Sequence, residues 1–165
     1  MFSIRRCFLF GFISTIFLLI SAFYLEYMKG LAPCPLCQLQ RVTLVLLGFT
    51  YFAGALYKKP SLGAKISGFL SLFFAGVGIV LATRHVWLQS LPAEQVPNCV
   101  AGFDYLLNTL PITEVFKVIL NGSELCTQVN WRFLGFSIPA WTLVWFIGFA
   151  VLGMVQIFRL DNEKG

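Results

Sequence analysis

An all-α membrane protein, built as a bundle of four transmembrane helices in a single membrane domain (residues 1–165), is the fold class that three observations predict. The first is composition. Of 165 residues, 58% are hydrophobic, 18 are Phe and only 12% are charged, with a mean hydropathy of +0.82. Soluble domains carry about a quarter charged residues, and a fold of this size buries only about two-thirds of its chain surface. Lipid must therefore act as the solvent. The second observation is four charge-free runs: Cys7–Leu25, Val42–Tyr57, Ile66–Thr83 and Leu134–Phe158. Each approaches the roughly 20 apolar residues that cross a bilayer as a helix. The third is the placement of Lys and Arg. Arg5, Arg6, Lys58, Lys59, Lys65, Arg159 and Lys164 fall on one side, concentrated in short ends and one tight turn. Lys29, Arg41, Arg84, Lys117 and Arg132 fall on the other, mostly diluted in a long loop. The positive-inside rule then places both termini in the cytoplasm. A net charge of +5 reads as cytoplasmic flanks in a lipid bilayer, and no nucleic-acid partner is expected.

The first helix is expected at about 7–28. Arg5-Arg6-Cys7-Phe8-Leu9 resembles a twin-arginine export signal. The apolar run behind it is longer than a typical h-region of about 7–15 residues, and no Ala-x-Ala cleavage site follows, so it reads as a span. A short outer loop, about 29–35, leads to the second helix at about 36–57, with Arg41 snorkelling at its outer end. The third helix is expected at about 65–83. Ser67, Ser71 and Ala75 recur there at four-residue spacing, beside Gly68 and Gly76, a stripe that lets membrane helices approach closely. The second outer loop, about 84–133, holds Ile112, Val115, Phe116, Ile119 and Leu120 at helical spacing behind Pro111, with Thr113, Glu114 and Lys117 opposite. That pattern predicts a short amphipathic helix on the membrane surface or on the bundle. The fourth helix is expected at about 134–158.

The cysteines carry the chemistry. Cys34, Cys37, Cys99 and Cys126 fall on the outer side, and Cys7 at the cytoplasmic end of helix one. An even number of outward cysteines, two per outer segment, points to disulfide chemistry in an oxidising compartment. Cys34-Pro35-Leu36-Cys37 closes too small a loop to be a useful staple. As a redox element it is well placed, because the start of a helix offers free N–H groups and a dipole that stabilise a thiolate. Arg41, four residues after Cys37, adds a permanent cation that can lower a thiol pKa or hold an anionic ligand. A zinc half-site is the weaker reading: the chain has one His, and Cys99 and Cys126 lack the close spacing of a matching half-site. No metal is expected. A thioredoxin-type fold is excluded, since no βαβ pattern surrounds the motif.

Cys99 and Cys126, on spacing alone, read as a stabilising disulfide across a long loop. Their neighbours, Pro97-Asn98 and Asn121-Gly122-Ser123, place them in exposed loops, where a disulfide is open to thiolate attack. Arg84 and His85 follow helix three, and His85 is either an interfacial polar residue or a hydrogen-bond donor to a carbonyl ligand. Trp87, Trp131, Trp141 and Trp145 read as interfacial or packing aromatics.

Over nearly its whole length the sequence resembles the bacterial disulfide-bond formation protein B (DsbB) family, quinone-linked thiol oxidases of the inner membrane. The resemblance rests on four spans and on Cys34-Pro35-Leu36-Cys37-Gln38-Leu39-Gln40-Arg41. It rests also on Arg84-His85-Val86-Trp87-Leu88-Gln89, on the second cysteine pair, and on Trp131-Arg132-Phe133-Leu134-Gly135 before Ile138-Pro139-Ala140-Trp141. It implies that Cys99 is the cysteine attacked by a reduced periplasmic DsbA-like partner, and that Cys126 passes electrons to Cys34. It further implies that Cys37 meets a membrane quinone, ubiquinone or menaquinone, as a thiolate, with Arg41 in support and His85 beside the ring. Two segments depart from the family pattern: Gly122-Ser123-Glu124-Leu125-Cys126, and the approach to Cys99. Both lie where a partner would touch. The energetics agree with an external acceptor. For two electrons, about 30 mV corresponds to about 1.4 kcal/mol, so an ordinary low-potential disulfide cannot reoxidise a strongly oxidising dithiol protein.

The competing class is a non-catalytic membrane assembly subunit with a stapled outer loop, in which Cys34 and Cys37 are inert. Cys7 separates the compartments in either case. Facing reducing cytoplasm, it cannot reach outer disulfides, so Cys7→Ser is expected to leave oxidase turnover within about twofold of wild type in a membrane assay. A large loss in a well-folded variant would overturn the topology.

Overall fold

The computed structural model describes residues 4–30, 33–57, 61–91, 108, 111, 113–114, 117, 126 and 132–162. It is an all-α four-helix membrane bundle with one small hairpin. Helix α1 spans Ile4–Lys29, α2 Pro35–Leu56, α3 Leu62–Leu88 and α4 Ile138–Asn162; strands β1 (Arg132–Phe133) and β2 (Phe136–Ser137) precede α4. All four helices are long and apolar enough to cross a membrane.

Local chemistry sets the helix ends. Gly30, at φ +64°, takes the left-handed conformation that closes a helix without a Cβ penalty. Cys34 caps α2 in an extended conformation, and Pro35 follows at the first helical position, where its missing N–H is no loss. Ser61 caps α3, its hydroxyl accepting from the Ala64 N–H at 3.2 Å.

The sequence places the end of the third helix at residue 83, but α3 continues to Leu88. Its buried face carries on through Leu81, Ala82, His85 and Leu88, and Arg84 covers the Trp87 ring at 4.3 Å. Arg84 and His85 are therefore helical, not loop residues. The fourth helix is likewise corrected, from a start near 134 to Ile138. Residues 132–137 form an antiparallel hairpin that pairs Arg132 with Ser137 and Phe133 with Phe136. Leu134 and Gly135 turn it with φ of +52° and +83°, positive at both central positions as the type I′ class of two-residue hairpin requires. The Ser137 hydroxyl donates to Gln89 Oε1 at 2.7 Å, tying the hairpin to the end of α3. Between α3 and β1, Thr113, Glu114 and Lys117 are helical and exposed, and Lys117 pairs with Glu114 at 3.9 Å. The apolar members of that expected amphipathic helix lie outside the described residues.

Helix α3 packs along both α2 and α4, α1 packs on α2, and α1 and α4 touch lightly. The core joins Phe8, Leu44, Leu47, Tyr51, Ala55, Ala75, Ala82, Phe146 and Phe149. The Tyr51 hydroxyl crosses from α2 to donate to the Phe149 carbonyl at 3.1 Å. Large side chains such as Phe10, Phe17, Phe49, Phe73 and Phe158 point outward. In water such a surface would be an aggregation patch; in lipid it is the solvated face. Buried hydroxyls bond back to their own helix, Thr15 to Phe12 O, Thr50 to Leu47 O and Ser71 to Gly68 O at 2.7–2.8 Å, so these three donors are satisfied within hydrocarbon. The buried Gln156 side-chain amide of α4, by contrast, has no hydrogen-bond partner among the described residues.

The small-residue stripe of α3 meets α4. A Cβ on Gly153 would lie 3.0 Å from Ser71 Oγ, and one on Gly78 would fall inside the envelope of the Phe146 ring, which is fully buried. Gly76 has open space around it. Gly78→Ala is expected to destabilise the detergent-solubilised protein by about 1–3 kcal/mol through overpacking. Gly76→Ala should be neutral or stabilising by up to about 1 kcal/mol. Thermal unfolding of the two variants side by side checks the contrast.

Candidate functional site

At the end of the bundle where α2 begins, two sulfurs stand one turn apart. Pro35 fixes the first turn, and the Gln38 N–H reaches the Cys34 carbonyl at 3.1 Å, which brings the Cys34 and Cys37 Sγ atoms to 3.5 Å. Both are free thiols. Cys34 sits in a small apolar cluster with Leu36, Leu81, Leu88 and Cys126. Cys34 and Cys126 are sealed from solvent, whereas Cys37 is half-buried. Hydrogen bonding to Cys126, then to Cys37, together with burial, pushes the Cys34 thiol well above the ordinary cysteine range. It is therefore protonated at neutral pH.

His85 enters from α3 and is 2% exposed. Its Nε2 lies 3.6 Å from Cys34 Sγ and its Nδ1 4.0 Å from Cys37 Sγ. Gln40 backs the ring, with Nε2 3.4 Å from His85 Nδ1, and its Oε1 accepts from the Thr142 hydroxyl of α4 at 3.0 Å. With the amide in this sense it donates to Nδ1, and the ring carries its proton on Nε2, toward sulfur.

Arg41 stands one turn after Cys37, but its guanidinium turns toward α1. It pairs with Glu26, donates to the Ala22 carbonyl at 3.1 Å and covers the Phe23 ring at 5.0 Å. Those contacts leave donors to spare, since a guanidinium has five.

Of the residues singled out from sequence, the fold gathers Cys34, Cys37, Cys126 and His85 into one cluster and sets Arg41 beside it, on the α1 side. Cys99 lies outside the described residues. Sequence reasoning missed Gln40 and Glu26. Gln40 was legible as the i+3 neighbour of Cys37 on the face that also buries Leu36, Thr43, Leu44 and Leu47. Glu26 was legible as a lone carboxylate ending the first apolar run.

Two thiols at this separation can close to a disulfide with loss of two electrons and two protons, and a third thiol against one of them is placed for exchange. Fold and site together define a multi-pass membrane protein with a dithiol cluster at one end of its bundle. A family model described as "Disulfide bond formation protein DsbB" matches residues 4–156. The chain belongs to that family, whose name marks it as a disulfide-forming oxidoreductase. Among curated relatives, the disulfide bond formation protein B of Hahella chejuensis is 49% identical over 131 residues, covering 79% of each chain. That of Nitrosococcus oceani is 39% identical over 163 residues, covering 99% of this chain and 96% of the relative. That of Stutzerimonas stutzeri is 36% identical over 157 residues, covering 95% and 96%.

Burial and the raised Cys34 thiol set an order of reactivity. In fully reduced protein at neutral pH, iodoacetamide is expected to modify Cys37 at least about tenfold faster than Cys34 or Cys126, read by peptide mass spectrometry after timed quenching. Equal rates at Cys34 and Cys37 would contradict the described burial.

Proposed function

We propose that this protein is a quinone-linked thiol oxidase of the bacterial inner membrane, with both termini cytoplasmic and its cysteine pairs facing the periplasm. In this reading it reoxidises a DsbA-like dithiol protein. The observation that carries it is the seat of Cys126 against Cys34, with Cys37 one step further on and half-buried. That order is the order an electron relay needs.

The steps balance as two exchanges. A partner thiolate attacks Cys99 of a Cys99–Cys126 disulfide, and Cys126 leaves as thiolate; the partner's second thiol releases the mixed disulfide and departs oxidised. Cys126 then attacks Cys34 of a Cys34–Cys37 disulfide, displacing Cys37 as thiolate, and Cys99 resolves the Cys126–Cys34 bond. The outer disulfide is restored, and Cys34 and Cys37 hold the two electrons. Every exchange is thiolate attack on a disulfide sulfur, and in the second the attacking and attacked sulfurs are already packed together inside the protein.

The residues present fit a quinone. Cys37 is the sulfur of the pair that is not sealed in, and Arg41, 15% exposed in its side chain, stands one turn away with spare donors. Bound there, ubiquinone or menaquinone supplies the two-electron acceptor that no protein disulfide can replace. Arg41 stabilises negative charge at this position without losing its proton, and Glu26 fixes where that charge sits. His85 holds the sulfurs from the other side.

The deciding experiment is quinone-coupled oxidation of a reduced DsbA-like protein in membranes, with each cysteine replaced in turn. Cys34→Ser, Cys37→Ser, Cys99→Ser and Cys126→Ser are each expected to lower turnover by at least about a hundredfold, since a broken exchange chain has no bypass. In Cys126→Ser the Cys99 thiolate can still attack the disulfide of oxidised partner, releasing one partner thiolate. With no Cys126 to displace the partner, a partner–Cys99 mixed disulfide is expected to accumulate on non-reducing gels. Wild-type turnover in Cys34→Ser, or trapping through Cys34 instead, would overturn the reading.

A further inference from the structure

We propose that the fully reduced cluster is also a binding site for a thiophilic divalent cation of the zinc class, held by Cys34, Cys37 and His85 with Cys126 as the nearest fourth donor. This rests on the same site as the oxidase reading and adds a state in which that site is closed. In sequence, the one His lies far from both cysteine pairs, and nothing marks a second half-site. The fold supplies the missing proximity. One donor atom from each of Cys34, Cys37 and His85 falls within 4.8 Å of the others. Around a tetrahedral zinc with Zn–S of about 2.3 Å and Zn–N of about 2.0–2.1 Å, neighbouring donors stand about 3.5–3.8 Å apart. The two sulfurs are 3.5 Å apart and Cys34 Sγ is 3.6 Å from His85 Nε2, so two edges of that tetrahedron are already at coordination spacing.

The surroundings fit as well. Cys126 is buried in contact with Cys34, on hand for the fourth position that structural zinc sites fill with a protein ligand. Binding through Cys34 and Cys37 releases two protons and leaves two thiolates against a dication. With these two thiolates and a neutral His85 the assembly is neutral, which suits a site at the edge of hydrocarbon; a third thiolate would leave it with one net negative charge. Coordination by Cys126 releases a third proton. His85 must offer a lone pair from Nε2, which moves its proton to Nδ1. A half-turn of the Gln40 amide provides for this: Oε1 then accepts from Nδ1–H, and the amide nitrogen donates to Thr142 Oγ1. The Thr142 hydroxyl has two acceptors, Gln40 Oε1 at 3.0 Å and Pro139 O at 2.8 Å, for a single proton. The turned amide leaves it one. Metal-bound histidines ordinarily donate their second N–H in this way, and the donation raises their basicity.

Binding involves no electron transfer and requires thiolates, so a Cys34–Cys37 disulfide excludes the metal. The cation therefore distinguishes electron-loaded from oxidised protein, and zinc is expected to arrest turnover by trapping the loaded form.

The test uses the full chain in detergent, fully reduced with a non-thiol reductant that is then removed. Zn²⁺ is titrated against a chromophoric chelator, and Co²⁺ serves as a spectroscopic probe. Wild type is expected to take up one Zn²⁺ tighter than about 1 µM, as thiolate zinc sites do, and to give the sulfur-to-cobalt charge-transfer and tetrahedral d–d bands. Oxidised protein should bind none at this site. His85→Ala should weaken binding at least tenfold, and Cys34→Ser or Cys37→Ser should remove the charge-transfer band. Absence of that band in reduced wild type overturns the proposal without reliance on any variant, as does equal affinity in folded His85→Ala. Turnover measured in parallel with a chelator present keeps the two readings apart. Turnover without zinc binding removes the metal site alone, and zinc binding without turnover removes the oxidase reading alone.

Discussion

The site is held together by a polar relay across three helices. Thr142 of α4 reaches Gln40 of α2, Gln40 reaches His85 of α3, and His85 faces the two sulfurs at the start of α2. In water each link would compete with solvent and contribute about 1 kcal/mol. At the edge of a bilayer the competitor is hydrocarbon, and an unmade bond costs the desolvation of its group. The relay therefore fixes rotamers as much as it stabilises. Removing any member leaves a buried donor or acceptor without a partner, beside a sulfur whose chemistry depends on its neighbours.

That relay exists only because the helices approach closely enough to make it. The approach is set by small side chains: Gly78 beneath Phe146, Gly153 against Ser71, and Gly54 beneath Phe8. Without a hydrophobic force between helices in lipid, close packing and interhelical hydrogen bonds supply the association. The apolar core below the site and the polar relay at its end are thus coupled. A side chain added at Gly78 pushes α4 from α3, and Thr142 and His85 ride on those two helices.

The four spans were legible because lipid imposes a simple rule on sequence, about 20 apolar residues without charge. Where that rule stops, so did accuracy. Helix α3 runs on past its last apolar residue because His85 and Leu88 stay on the buried face and Arg84 has Trp87 to cover; hydropathy sees only the charge at 84. The start of α4 was missed because Leu134 adopts positive φ, which apolar patterning cannot register. In the site, Cys34-Pro35-Leu36-Cys37 and Arg41 were visible as a local motif. The contacts of Cys126 and His85 with it were not, since they join positions 51 or more residues from Cys34 in the chain. Only the family resemblance grouped them. Gln40 and Glu26 stood at legible positions, but their partners Thr142 and Arg41 lie on other helices, so no local motif marked those contacts.

The Arg41–Glu26 pair separates two tasks that one cation otherwise serves. An arginine free to snorkel would carry its charge to the headgroups, away from Cys37. Glu26 and the Ala22 carbonyl hold it at the depth of α1 instead, with Phe23 covering its face. The carboxylate lowers the net positive field at the site, which weakens the pull on a resting thiolate. The fork geometry remains, and a guanidinium already bonded on one side loses little further entropy when it meets an anion on the other. An arginine tethered this way stabilises charge that develops beside it more than charge already present. In the proposed oxidase, that difference favours the step in which electrons leave Cys37 over the state in which they wait there.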